Sequence, residues 1–509
     1  MRPDAVVVGA GPNGLAAAVT MARAGLKVQL IEAAGKIGGG TRTSELTLPG
    51  FRHDVCSAVH PMALASPFFQ AFDLEDRIDL IVPDISYAHA VDAFRAGIAY
   101  RSLGRTAEGL GRDGEEYRRL FQPLVERADG VTDLTMHQLL RIPRHPVAAI
   151  LYAARTVEQG GPWWNTRFRE ETAPAMITGV GSHCIGPLPG LATSGTGMLL
   201  VAHAHARGWP VPVGGSQSIA NAMADDLLEH GGDIVLNIPV TGLEEFRGAS
   251  GPKAILLDLS AAGLAEVAGA ELPTGYLRKL ASFRYGNAVS KVDFALSGPV
   301  PWANPDLMNA PTVHLGGTRA EISRAEAEVA AGRHPQQPFV LASQPSTLDS
   351  SRAPAGQHVL WTYTHVPAGS TADMTEAITR RIEEFAPNFR DTVLATHSIT
   401  AEQYSKYNPN YVGGDFSAGA LTPLQLLKRP VISPDAWQTP AKGVYLCSSS
   451  TPPGPSVHGL CGWYAARSAL KNEFGLPAPD LAPKKSREST QSPADSYKPV
   501  GGTSTVDQV

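Results

Sequence analysis

AVVVGAGPNGLAAAVTMARAGLKVQLIEAAGKIGGGTRT, residues 5–43, is an apolar run, three spaced glycines, an alanine-rich segment, a second apolar run and an acid, in that order. The pattern predicts a strand from Ala5 to Val8, a turn, a helix, and a strand from Lys27 to Ile31. Gly9 suits the tight turn, Gly11 lets the main chain approach a diphosphate, and Gly14 lets helix and strand pack closely, which leaves free N–H groups at the positive helix end. Glu32 stands 18 residues beyond Gly14, where a carboxylate accepts hydrogen bonds from an adenosine ribose and repels a 2′-phosphate. A glycine triplet alone is weak, because glycine turns also join elements for purely structural reasons. The full succession through to the acid points to a dinucleotide, without separating FAD from NAD.

Gly38, Gly39, Gly40, Thr41, Arg42 and Thr43 follow, a glycine run that brings a guanidinium and more backbone N–H groups toward phosphate. Here the chain resembles the FAD-dependent oxidoreductases of the amine oxidase and phytoene desaturase superfamily, in which a GGxxRT segment follows the first βαβ unit. The resemblance implies FAD, with Gly39, Gly40 and Arg42 near its pyrophosphate. A second matching piece, GVYLCSSSTPPGPSVHGLCGWYAARSAL at residues 443–470, reads as strand, Pro-Gly loop and helix. In the family such a segment passes under the flavin ring, which implies Val457, His458 and Gly459 as flavin neighbours at a helix N-terminus. A third piece, residues 211–240, is similar to the P-x-GG helix and following strand of phytoene desaturase-type proteins and implies Val240 on the adenine side.

Residues 186–206 and the strand Lys291 to Leu296 resemble, within the superfamily, the branch that contains pyridine nucleotide-disulfide oxidoreductase domain-containing protein 2. The chain departs from the GA-x-T-H-P-G phrase of phytoene desaturases, with Ser448-Ser-Ser-Thr-Pro-Pro-Gly454 in its place. Cys56, Cys184, Cys447 and Cys461 are scattered with no C-x-x-C, which gives disulfide exchange no support.

The expected fold class is α/β: a Rossmann-like FAD-binding domain of discontinuous segments, 1–85, 206–262 and 440–475, with an inserted α+β substrate domain, 86–205 and 263–439, of mixed sheet plus helices. Strands are expected at 288–296, 338–344 and 357–366. Residues 86–205 read as mostly helical or irregular, with prolines breaking any long helix. Met374, Ile378, Ile382 and Phe385 predict an amphipathic helix after a Ser370-x-x-Asp373 capping signal. Residues 477–509, poor in large apolar side chains, read as a disordered tail.

The 509 residues exceed a single core. With 43 basic and 48 acidic residues, a net charge of −5 gives nucleic acid no basic surface. The first strand begins too early for a secretory signal, no apolar stretch reaches the ~18 residues of a bilayer span, and the cysteines lack pattern; a cytoplasmic enzyme is expected, with peripheral membrane contact if the substrate is lipophilic.

Flavin chemistry needs mainly geometry, a substrate C–H held close to N5 in a dry pocket. The resemblance makes Lys291 and His458 candidate catalytic groups, Lys291 as holder of a water and His458 as a flavin hydrogen-bond partner; both also have ordinary structural readings. Trp463 and Tyr464 read as packing residues. His183, His203 and His205 lack a companion ligand at metal spacing, and no metal is assigned. The reading is an FAD-dependent oxidoreductase that dehydrogenates or desaturates a lipophilic small molecule, carotenoid-like or other, by hydride transfer to flavin N5, with oxygen or a quinone as acceptor. Two alternatives stand beside it: a flavin amine oxidase, and a low-turnover FAD-binding interaction or regulatory protein.

Overall fold

In the computed structural model, which describes residues 2–248 and 251–483, two sheets face each other across a large internal space. The first is five-stranded and parallel, in the order Val444–Leu446, Ala254–Leu257, Ala5–Val8, Val28–Ile31, Asp233–Val235. Its near-continuous apolar strands suit a sheet covered on both faces. Every one of its strands lies within 1–85, 206–262 or 440–475.

Helix Pro12–Arg23 follows the first strand and is buried over Asn13 to Ala22. Its alanines have little bulk, and the helix Leu460–Ala469 presses against it so closely that a Cβ on Gly462 would lie 1.7 Å from the Asn13 carbonyl oxygen. Gln217–Glu229 packs on another side of the same helix. The N-terminal and C-terminal parts of the chain are thereby clamped into one layer.

The second sheet has seven strands, in the order Val393–Ile399, Ala288–Leu296, His358–Val366, Val340–Ser343, Thr312–Leu315, Ile85–Ala90, Ala96–Tyr100. It is antiparallel except where Thr312–Leu315 runs parallel to Ile85–Ala90. Alternation sends Val292, Phe294, Val313, Leu315, Val340 and Leu360 to a core on the outer face, under Ile378 and Ile382 of the helix Thr375–Glu383. The opposite face, with Val289, Leu341, Trp361 and Tyr363, looks toward the parallel sheet.

Three expectations need correction. Residues 86–205 hold the strand pair Ile85–Ala90 and Ala96–Tyr100 as well as long helices, Pro146–Gly160 and Leu191–Ala206. Pro146 starts its helix rather than breaking it, because the first helical residue needs no N–H partner. The helix expected after Ser370 begins only at Thr375: Asp373 Oδ1 accepts the Thr375 N–H at 2.9 Å and turns the chain there, while Ser370 Oγ takes the Ala372 N–H at 3.2 Å. Of the expected tail, residues 477–483 follow the body of the protein, with Leu481 buried in the core and the Ala482 carbonyl accepting from Arg23 Nη1 at 2.9 Å; residues 484–509 lie outside the described residues.

Candidate functional site

A continuous cavity of about 1370 Å³ runs from the glycine turn to the inner face of the seven-stranded sheet. That is more than the ~300–1,000 Å³ of an ordinary small-molecule site, room for a dinucleotide and a second molecule.

At the first end, Gly9 has φ +98°, and a Cβ on Gly14 would lie 1.9 Å from the Gly9 carbonyl oxygen; neither position admits another residue without moving backbone. Gly9, Gly11 and Asn13 line the cavity, and Asn13 Oδ1 is buried with no partner. Gly39 and Gly40 come alongside through the Gly38 N–H, which donates to Ala10 O at 2.8 Å. Glu32 is braced in place: its Oε2 accepts from Ala10 N–H at 2.7 Å, its Oε1 from Ala34 N–H at 2.9 Å, and Arg42 Nη2 lies 3.3 Å from Oε1. Arg42 in turn donates from Nε to the Lys36 carbonyl at 3.0 Å and lies over the Tyr407 ring. Glu32, Gly39, Gly40, Arg42, Val240 and Val457 all line the cavity. Gly14 stands just behind the lining, as the packing glycine.

Sequence reasoning missed the acid at the centre of this end. Asp258 ends the strand Ala254–Leu257 as Glu32 ends Val28–Ile31, so AILLD and VQLIE form a pair of apolar strands, each closed by a carboxylate. Asp258 Oδ2 accepts the Gly14 N–H at 3.0 Å and thus occupies the positive helix end where a diphosphate belongs. Burial pushes its carboxyl up to about 7, with Glu32 adding to the rise and the Gly14 amide opposing it. Asn410 fixes the backbone there, donating to Asp258 O at 3.0 Å and accepting from Ser260 N–H at 2.7 Å.

Two expected catalytic groups do not reach the cavity. Lys291 is buried, but its ammonium is drawn back along its own strand to Asp293, which also faces His53 Nδ1 at 3.4 Å. Burial would raise the Asp293 carboxyl, yet Lys291 and His53 together hold it below its ordinary value. His458 is likewise committed: Nδ1 accepts from Leu460 N–H at 3.0 Å, and Nε2 lies 3.1 Å from the Gly454 carbonyl, which fixes the Nε2–H tautomer. Burial lowers it to about 4, and the neutral ring serves as a cap on the helix Leu460–Ala469. Gly459 is also absent from the lining; its φ of +68° turns the chain against Phe68, whose ring a Cβ would meet at 2.4 Å.

Trp463 and Tyr464 pack away from the cavity, with the Tyr464 hydroxyl on Met136 O at 3.0 Å; His137, against the Tyr464 ring, lines the cavity instead. His203 and His205 are held by Thr132 and by Tyr117 and Tyr100. Burial holds the Cys56 thiol above its ordinary value, so it is no ready nucleophile. Among the described residues one group, Asp226, Glu229 and His230, has metal-ligand spacing, and Asp226 is committed to Arg23 and Arg77.

The second end is built from the substrate-domain helices and the seven-stranded sheet. Leu139, Leu199, Leu200, Val289, Leu341 and Phe416 supply apolar surface, with Trp361 and Tyr363 edge to face, ring centroids 5.2 Å apart. His183 lines this end and lies Nε2 to Nε2, 3.0 Å, from His314. Burial lowers both, His183 to about 3, so the pair is neutral. The acidic residues of the lining are Glu32, Asp258 and Glu266; Glu266 lies on the helix Ala261–Val267 that follows the strand ending at Asp258, and the seven-stranded sheet and the helices of 86–205 contribute none.

Residues 7–73 match the NAD(P)-binding Rossmann-like domain. Over 92% of its length the chain is 25% identical to pyridine nucleotide-disulfide oxidoreductase domain-containing protein 2 of Rattus norvegicus, covering 93% of that relative. A 131-residue alignment, 25% of this chain and 24% of the relative, is 30% identical to one of the subunits of limonene dehydrogenase from Castellaniella defragrans. The fold is shared with cyclohexylamine oxidase from Brevibacterium oxydans, at a TM-score of 0.57 and 15% identity over 92% of this chain and 99% of that one. These likenesses bear out the resemblance carried by the glycine segments and the α/β fold class expected from it. The disulfide in the rat relative's name has no counterpart here, since all four cysteines are free.

Proposed function

We propose that the protein is an FAD-dependent oxidoreductase that removes hydrogen from an uncharged, lipophilic small molecule. The observation that carries this reading is the continuity of one cavity, with glycine turn, Glu32 and Arg42 at one end and apolar substrate-domain walls at the other. FAD fits the first end on the structure's own terms: a Cβ-intolerant turn, an unpartnered Asn13 Oδ1, and a carboxylate braced for ribose. Bound there, the flavin supplies the hydride acceptor. The chain's own work is to hold the diphosphate on backbone N–H groups, to exclude water with the walls around Leu199 and Leu341, and to orient the substrate. The electron acceptor in this reading is oxygen or a quinone.

An amine substrate is the second reading, favoured by the Trp361, Tyr363 and Phe416 rings, whose faces attract a cation. The seven-stranded sheet and the helices of 86–205 put no carboxylate on the cavity wall to accompany an ammonium, and Lys291 Nζ already lies 5.7 Å from the Trp361 ring centre. We therefore place the uncharged substrate first; the name of the limonene dehydrogenase relative supports the same class. Purified protein supplied with FAD should retain yellow flavin and be protected from heating by it, and anaerobic addition of a terpenoid should bleach the absorbance. Protein that stays colourless ends the reading, and bleaching by amines alone exchanges it for the second.

Peripheral membrane contact belongs to the same proposal. Val157, Leu191 and Leu427 line the cavity and are 49%, 45% and 40% exposed, with Ile150 and Leu424 exposed on the helices of Val157 and Leu427 and Ile142 exposed in the loop before Pro146. No helix among the described residues is long and apolar enough to cross a membrane. An apolar rim at a cavity mouth suits a partner surface of lipid. Ile150→Asp with Leu424→Asp should reduce co-sedimentation with phosphatidylcholine vesicles and leave FAD retention unchanged; undiminished co-sedimentation rejects the contact.

A further inference from the structure

Strand register lays out the cavity-facing side of the seven-stranded sheet as rows of side chains. Asp293 pairs with Trp361, Trp361 with Ser343, and Ser343 with Thr312, so these four stand side by side across four strands. From Trp361 to Thr312 is two strand spacings, about 10 Å. All four present a buried polar atom with no hydrogen-bond partner; Asp293 Oδ1 has His53 Nδ1 as an ionic neighbour at 3.4 Å, which leaves Trp361 Nε1, Ser343 Oγ and Thr312 Oγ1 with none. Trp361 is 6% exposed, the other two 0%, and Trp361 and Thr312 line the cavity. A lone orphan is ordinary, but buried polar groups are satisfied in about nine cases of ten or more, and three adjacent ones, the two flanking Ser343 lining the cavity, mark a place where something else supplies the bonds.

The chemistry of the row selects the occupant. The indole N–H only donates, so the ligand atom must accept; an ammonium has no lone pair to do so, while a hydroxyl or carbonyl oxygen accepts from Trp361 and exchanges with the two hydroxyls. Charge is excluded from both sides. The seven-stranded sheet and the helices of 86–205 put no carboxylate on the cavity wall for a cation. The cations nearby are already paired, Lys291 with Asp293, Arg42 with Glu32 and Lys406 with Glu402. Behind the neighbouring row, His314 and His183 are neutral. We propose that Thr312, Ser343 and Trp361 form a seat for an uncharged oxygen function, hydroxyl or carbonyl, on an otherwise hydrocarbon substrate. The proposal rests on the oxidoreductase reading and narrows its substrate from any lipophilic molecule to an oxygen-bearing one.

Calorimetric titration of the FAD-loaded protein with octane, octan-1-ol, octan-2-one and octylamine tests it, since skeleton length is constant and only the polar group varies. The alcohol and ketone should bind about tenfold more tightly than octane and octylamine, the worth of one or two buried hydrogen bonds. Thr312→Val and Trp361→Phe should each erase most of that preference while octane binding holds. Equal affinities across the series overturn the seat, as does a preference that survives both variants, which would mean that ordered water alone occupies the row. Should a variant fail to fold, the wild-type series still decides. Loss of the oxidoreductase reading shows separately, as protein that keeps no yellow flavin, and the four titrations repeated on that flavin-free protein then still report on the row.

Discussion

The two ends of the cavity recognise their ligands by different means. At the glycine turn, groups close in sequence meet: Gly9 to Gly14, then Glu32, Gly39 and Arg42, within a stretch of under forty residues. At the sheet, the polar atoms come from Thr312, Ser343 and Trp361, on three strands brought level by pairing register. The first end is held by backbone geometry and by charge, the second by side chains that a shift of one residue would turn to the opposite face. A binding site written locally is specific to a common ligand; one written in register can change its ligand while the sheet stays the same.

The largest expected effect attacks the local end. Gly14→Val places a Cβ inside the Gly9 carbonyl, a clash of backbone with backbone, and should abolish FAD retention and cost at least about 3 kcal/mol in stability. A variant that keeps its flavin at an unchanged Tm breaks the assignment of this end. Next comes Lys291→Met, which leaves Asp293 buried with only His53 at 3.4 Å and His397 at 3.9 Å beside it and should destabilise the fold by about 3–5 kcal/mol in chemical denaturation. Flavin binding should persist; an unchanged denaturation midpoint with slowed flavin reduction would return Lys291 to the catalytic group.

A smaller effect sharpens the contrast through pH. Asp258, pushed up to about 7, holds its proton in the folded protein at values where the unfolded chain has lost it. Without ligand, stability should therefore fall as pH rises from about 4 toward 7 and level off above it. A diphosphate beside this carboxyl favours its neutral form, so FAD binding takes up a proton and affinity should weaken above about pH 7, by up to tenfold per pH unit. Asp258→Asn should flatten that dependence while octan-1-ol binding at the far end stays as in the wild type. A pH slope that survives the substitution places the proton elsewhere.

The same contrast explains what could be read beforehand. The parallel sheet and its turn were legible because a βαβ unit keeps strand, glycines and acid in sequence order. Asp258 was legible in principle, as the second apolar strand ending in an acid, but its partner strand lies some 250 residues away. The seat on the other sheet was not. Thr312 and Ser343 carry no motif, and their adjacency follows from pairing that alternation alone does not specify. His458 and Lys291 drew attention because family position suggested them, whereas local bonds, to Leu460 and Gly454 in one case and Asp293 in the other, had already claimed their polar atoms.

The clamp between Gly462 and Asn13 also sets a timetable. The strand Ala5–Val8 leaves the ribosome long before its neighbour Ala254–Leu257, and the helix that closes over Pro12–Arg23 comes some two hundred residues later still. Until then the nascent nucleotide pocket lacks a wall, so coenzyme loading is deferred until the helix Leu460–Ala469 has emerged, and a messenger truncated shortly before codon 440 should yield an uncoloured product.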